Sequence, residues 1–208
     1  MNGETLSVLI VDDHSVVRMG MAALLSAETD LHVVGNAKNG IEAISLARTL
    51  QPDVIVMDVE MPRKDGFETT AEIMAEQPDA KILILTSFAT TDRIAKAIKT
   101  GALGAIMKNA DDSEMVAAIR NVGQGKAYLA KDIKRLFKED PPVPELSPRQ
   151  REILDAITRG LTNQDIATQL CISLDMVKKH MSALLQKMNV ANRSEAVAIA
   201  LKKHLLKI

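Results

Sequence analysis

Two adjacent carboxylates, Asp12 and Asp13, follow an apolar run in the stretch VLIVDDH. Asp58 ends a second run in VIVMDVEMPRKDG, Thr86 closes a third in ILILTS, and Lys108 closes a fourth in GAIMK. Two like charges about 5 Å apart repel by roughly 3 kcal/mol at an effective dielectric near 20. Such neighbours persist only beside a counterion, and hard oxygen ligands call for magnesium, held octahedrally with several waters retained. A carboxylate, a metal, a hydroxyl and an ammonium on one rim form a device for holding a phosphoryl group. Asp58 is then the candidate nucleophile, and its acyl phosphate would add charge and new acceptor oxygens. Metal and Lys108 would neutralise the equatorial oxygens, while Thr86 would donate a hydrogen bond to one of them. Each residue alone has a plainer reading: a strand-end Asp caps a helix, a Thr sits in a strand, a Lys is a solvated tip. The joint pattern, with every member at the end of an apolar run, favours the pocket.

Positioning these groups is the task of the elements between them. The runs LSVLIVD, LHVVGNA, PDVIVMD, AKILILTS and GAIMK alternate with amphipathic segments such as GIEAISLARTL, whose Ile41, Ile44 and Leu46/Ala47 recur at helical spacing. Strands separated by helices imply parallel pairing through right-handed crossovers, and the near-continuous apolar third and fourth runs imply burial on both faces. Residues 1–125 therefore read as a doubly wound, five-stranded, flavodoxin-like α/β domain of order 2-1-3-4-5. That order makes the first and third strands neighbours, so Asp12, Asp13 and Asp58 meet at the edge where such folds place their chemistry.

The 208 residues suit two domains. The net charge of −1 divides unevenly: residues 145–208 carry +4 and the remainder −5. A basic module invites a nucleic-acid reading, although solvated basic faces are common. No apolar run approaches the ~20 residues of a membrane span, and no signal pattern opens the chain. The single Cys171 excludes an internal disulfide framework, which fits a cytoplasmic location. A helical stretch, KDIKRLFK, leads into EDPPVPE, where Pro141, Pro142 and Pro144 break any helix, so 126–144 reads as the linker between the domains. Beyond it SPRQ, TNQD and NRSE are helix-start signals, with Gly160 as a stop. In TNQDIATQLCISLDMVKKHMSALLQKM, Ile166, Ala167 and Leu170 face inward from one helix and Val177, Met181, Leu184 and Met188 from the next. Lys178, Ser182 and Gln186, with Lys179, line the outer face. That face suits a helix in the DNA major groove, or equally the solvated side of a plain helical bundle.

Residues 6–125 resemble a bacterial response-regulator receiver domain in VDDH, MDVEMPRKDG, LTS and GAIMK. The stretch LSPRQREILDAITRGLTNQDIATQLCISLDMVKKHMSALLQKMNVANRSEA is similar to a LuxR-type helix-turn-helix domain, residues 145–208. Together they resemble the NarL/FixJ class of transcriptional regulators. The resemblance implies Asp58 as phosphoacceptor, with magnesium held by Asp13 directly, Asp12 through water, Asp58, and the Glu60 backbone carbonyl. It implies Thr86 as switch hydroxyl and Lys108 as partner ammonium. Lys178, Lys179 and Ser182 fall at base-reading positions, and Thr162, Asn163, His180, Lys187 and Arg193 at backbone-contact positions. The implied partners are a sensor histidine kinase, promoter half-sites of DNA, and a second copy in a phosphorylated homodimer, with RNA polymerase a further candidate. No turnover of a separate substrate is implied.

Three positions depart from the pattern. Ala105 stands where many receivers carry Tyr or Phe, so an aromatic flip cannot occur there. Phe88 is read as packed, with a share in the switch as the alternative. Met176 replaces a frequent Thr, removing a phosphate contact, and Cys171 replaces an aromatic and is read as a buried, inert core residue. A phosphorylation-independent regulator of the same build is one alternative. A magnesium-dependent phosphohydrolase is another, against which Glu60 stands where such enzymes place a second Asp.

Overall fold

Branched aliphatic runs pair side by side in the computed structural model, which describes residues 5–87, 90–203, 205 and 206; Phe88 lies outside them. The strands are β1 (Leu6–Val11), β2 (Leu31–Ala37), β3 (Val54–Asp58), β4 (Ile82–Thr86), β5 (Gly104–Met107) and β6 (Tyr128–Leu129). They form one parallel sheet in the order β2-β1-β3-β4-β5-β6. Between them run α1 (Ser15–Ser26), α2 (Gly40–Leu50), α3 (Gly66–Glu76), α4 (Thr91–Lys99) and α5 (Asp112–Gly123), and α6 (Lys131–Glu139) follows β6. Every residue of β3 and β4 is buried, as expected for parallel strands covered on both faces. On α2 the packed face is Gly40, Ala43, Ile44 and Ala47, whereas Ile41, expected on it, is exposed.

Two expectations need correction. The sheet has six strands rather than five, and residues 128–139 of the 126–144 linker fold onto it, the expected KDIKRLFK helix being α6. The Tyr128 amide donates to the Leu103 carbonyl (3.0 Å) and the Ala130 amide to the Ala105 carbonyl (3.2 Å). Ile133 of α6 is fully buried in the same core. Backbone pairing on the free β5 edge and one aliphatic anchor thus hold this segment to the sheet. The chain divides into compact units at Pro141/Pro142, within the proline cluster.

The second unit is all helical: α7 (Pro148–Thr158), α8 (Asn163–Gln169), α9 (Leu174–Met188) and α10 (Arg193–Lys202). Ser147 and Gln150 form the expected capping box on α7, Thr162 and Asp165 form one on α8, and Asn192 caps α10. Ile153, Leu154, Ile166, Val177 and Leu184 make its core. Among the described residues, no helix is long and apolar enough to cross a membrane.

Candidate functional site

The acidic pocket assembles where parallel strands end. Asp12 follows β1 and is fully buried; its Oδ1 accepts the His14 amide (2.8 Å) and its carbonyl accepts Arg18 Nη1 (2.7 Å). Asp58, the last residue of β3, is also buried, and its Oδ1 accepts the Glu60 amide at 3.2 Å. Thr86 is buried at the end of β4 opposite Met107, and the Lys108 amide donates to the Thr86 carbonyl (2.9 Å). Strand register therefore delivers Lys108 to the acids: its Nζ lies 2.6 Å from Asp12 Oδ2 and 2.8 Å from Asp58 Oδ2. Asp13 is partly exposed, with its Oδ1 2.8 Å from His14 Nδ1.

Burial, the largest influence, pushes the Asp58 carboxyl above the ordinary carboxylate range; Lys108 opposes the rise and the Asp12 charge reinforces it. Burial also works against the Lys108 ammonium. Its contacts with Asp12 and Asp58 outweigh that and hold it above the usual lysine value. Asp12, Asp13, His14 and Asp58 each offer a donor atom within 4.8 Å of the others. Three carboxylates outnumber the Lys108 ammonium and the Arg18 guanidinium beside them, so the pocket is acidic on balance. Hard oxygens in that number suit a small divalent cation.

Several contributors were not recognised from sequence. His14 and Arg18 brace Asp12 from the first turns of α1, a role that DDHSVVR signals only through its spacing. Gly66 opens α3 against the pocket floor, where a Cβ would lie 2.2 Å from the Asp58 carbonyl oxygen. Its amide donates to the Val59 carbonyl at 3.0 Å. A glycine directly after the capping Asp65 was the available signal. At the pocket mouth, Glu60 Oε1 accepts Arg93 Nη1 of α4 at 2.7 Å.

On the basic unit, α8, a turn and α9 stand in sequence. Val177, Met181, Leu184 and Met188 are buried, and Lys178, Lys179, Ser182 and Gln186 are exposed along the opposite side of α9. His180, Lys187 and Asn163 are half-buried. The Thr162 hydroxyl is engaged with Asp165 (2.6 Å) in the α8 cap, and the Arg193 guanidinium is engaged by the Leu161 carbonyl. Both side chains thus hold the unit together internally. Cys171 is exposed, correcting its expected burial. It stands just past α8 in left-handed backbone (φ 51°), which takes it off the packed face of the helix.

The response regulator receiver domain family matches residues 8–120, and the luxR family of bacterial regulatory proteins matches residues 144–200. The transcriptional regulatory protein LiaR of Bacillus subtilis (strain 168) is 39% identical over 209 residues, covering 97% of this chain and 99% of its own. The crystal structure of ChrA, a response regulator in a heme-sensing two-component system, is 33% identical with a TM-score of 0.56, covering 98% and 100%. The fold is shared with RcsB from Salmonella enterica serovar Typhimurium, bound to a promoter in the presence of the phosphomimetic BeF3−. That structure is 21% identical with a TM-score of 0.73, covering 98% and 100%. Two family matches in tandem, and a relative aligned nearly end to end, make this chain a member of the two-component response regulators, a receiver domain joined to a LuxR-type DNA-binding domain that regulates transcription.

Proposed function

We propose that a histidine kinase passes a phosphoryl group to Asp58, and that the modified chain dimerises and binds paired promoter half-sites in the cytoplasm. The observation that carries this reading is the Asp58 carboxylate, buried at 1% exposure yet 2.8 Å from the Lys108 ammonium and beside Asp12. A carboxylate there is costly unless it has work to do. In the transfer, an Asp58 oxygen attacks phosphorus, the phosphorus–nitrogen bond of the donor phosphohistidine breaks, and the leaving imidazole takes up a proton. Lys108 meets the charge of the equatorial oxygens and Thr86 donates a hydrogen bond to one of them. Asp13 and Asp58 would hold magnesium with the Glu60 carbonyl, and Asp12 would act through water. When bound, that ion supplies positive charge at the transferring group.

Lys178, Lys179 and Ser182 are the candidate base readers, supported by their shared exposed face on α9. Asn163, His180 and Lys187, with Thr162 and Arg193, are assigned to the DNA backbone. The last two also act inside the module, Thr162 capping α8 and Arg193 tying the start of α10 to the Leu161 carbonyl. To turn such a switch from mostly off to mostly on, phosphorylation must favour the active state by about 5.5 kcal/mol. RNA polymerase is the partner expected once the dimer stands on a promoter.

The test is uptake of one phosphoryl group, read by intact mass, from a small phosphodonor with magnesium. Wild type should gain it, and Asp58→Asn should not. A second reading, phosphorylation-independent regulation, is favoured by Ala105, which leaves only a methyl group on the strand next to Thr86. Promoter output unchanged in Asp58→Asn would support it.

A further inference from the structure

The segment that sequence alone assigns to a linker sits against both elements that leave the pocket. β4 carries Thr86 and leads to α4; β5 ends at Met107, immediately before Lys108. α6 packs on α4 and on β5. Within β5, Gly104 pairs with Tyr128 and Ala105 with Leu129. Ala105 is fully buried under this segment, and its carbonyl accepts the Ala130 amide. The pairing is close: a Cβ at Gly104 would lie 2.6 Å from the Tyr128 carbonyl oxygen. Beyond α6 the chain passes through Pro141, Pro142 and Pro144 into the DNA-binding unit.

We infer that β6 and α6 form the output clasp of the receiver, closed on the β5 edge and α4 in the unmodified protein and released when Asp58 is phosphorylated. Three features suit the segment to that role. The pocket end and the clasp end share one four-residue strand, β5, so a pull on Lys108, or on Thr86 through Met107, reaches Ala105 within three residue positions. The clasp is lightly held, with a two-residue strand and a nine-residue helix, below the length at which a helix stands alone in water. Its fully buried anchor is Ile133, with the small Ala130 beside it; Tyr128, Leu129, Leu136 and Phe137 are only partly covered, and the remaining residues of α6 are charged. Elements that move in switching come from this low-stability end of a structure. Being covalently continuous with the proline segment, the clasp sets where the route to the DNA-binding unit begins: at Glu139 when closed, and near Gly123, the end of α5, when open. The inference rests on Asp58 as phosphoacceptor.

Hydrogen exchange on the full-length chain, with magnesium and with or without beryllofluoride, tests it. The amides of 131–140, among them Lys134 and Asp140, which donate to Ala130 and Leu136, should exchange at least ~10-fold faster with beryllofluoride. In its absence Ile133→Ser should give the same fast exchange and raise affinity for promoter DNA. Gly104→Ala, which pushes β6 off without removing an apolar anchor, should do likewise. Protection changing around Asp58 and Lys108 but not across 131–140 would overturn the clasp alone. No change anywhere would overturn the phosphoacceptor reading and the clasp with it. Variants that open the clasp yet leave DNA affinity unchanged would also overturn it.

Discussion

The acidic pocket and the outer face of α9 use charge in opposite ways. In the pocket, Asp12 and Asp58 are buried and Lys108 is pinned between them at 2.6 and 2.8 Å. Each position is dictated by strand register, and the excess of acid over base there suits a small divalent cation. On α9, Lys178, Lys179 and Ser182 stand in solvent, where charges are weakly coupled and side chains are free to adapt to a partner. One site is pre-organised by burial; the other, on the proposed reading, would take shape only against DNA. Mutations in the pocket should therefore act on chemistry and stability together, while mutations on α9 should spare stability.

The sharpest break of that contrast is Asp58→Asn. It should abolish phosphoryl uptake and the donor-dependent tightening on DNA while making the unmodified fold more stable at neutral pH. Burial raises the folded pKa of Asp58, so between its unfolded and folded values the native state holds more protons than the unfolded chain. Wild-type stability should accordingly fall as pH climbs from the ordinary carboxylate range through the raised folded pKa, and Asp58→Asn should lose that slope. Urea unfolding across pH, without magnesium, measures both effects; an Asn variant less stable than wild type would contradict the account.

Lys178→Ala should cost about 1–3 kcal/mol of specific DNA affinity and relax preference at one base pair, with urea stability unchanged. An equal loss on every sequence, with a salt slope smaller by about 1, would move the lysine to the phosphate backbone. Gly66→Ala, by placing a methyl against the Asp58 carbonyl, should destabilise the fold by about 1–3 kcal/mol and weaken magnesium binding as well. Magnesium at ten times its Kd should stabilise wild type by about 1.4 kcal/mol, and Asp13→Asn far less. The smallest effect is expected at Asp53, held below the usual carboxylate range by the Ser7 hydroxyl and amide. Ser7→Ala should cost about 1 kcal/mol or less, a difference present above that range and lost as pH falls through the folded pKa of Asp53.

The pocket was legible because Asp12, Asp58, Thr86 and Lys108 each terminate an apolar run, and a parallel sheet aligns such ends on one rim. The helix starts at Ser147, Thr162 and Asn192 were legible because caps are local chemistry. What was not legible depends on contacts between distant residues or on single backbone angles. Tyr128–Leu129 is too short to show alternation, and its pairing depends on an open β5 edge. Cys171 follows an apolar stripe in sequence, but a left-handed φ takes it out of register. Arg93 and Glu60 are far apart in sequence and meet only once α4 is placed. The α9 face reads alike whether it meets water or DNA, so its residues are told apart by family likeness rather than by pattern.

The central claim is that modification of Asp58 governs DNA binding, and promoter affinity of the full-length chain at one fixed salt concentration tests it most directly. With magnesium and a phosphoryl donor, wild type should bind at least tenfold more tightly than without, and Asp58→Asn should bind identically in both conditions. Equal affinities for wild type with and without the donor, despite one phosphoryl group bound per chain, would contradict it.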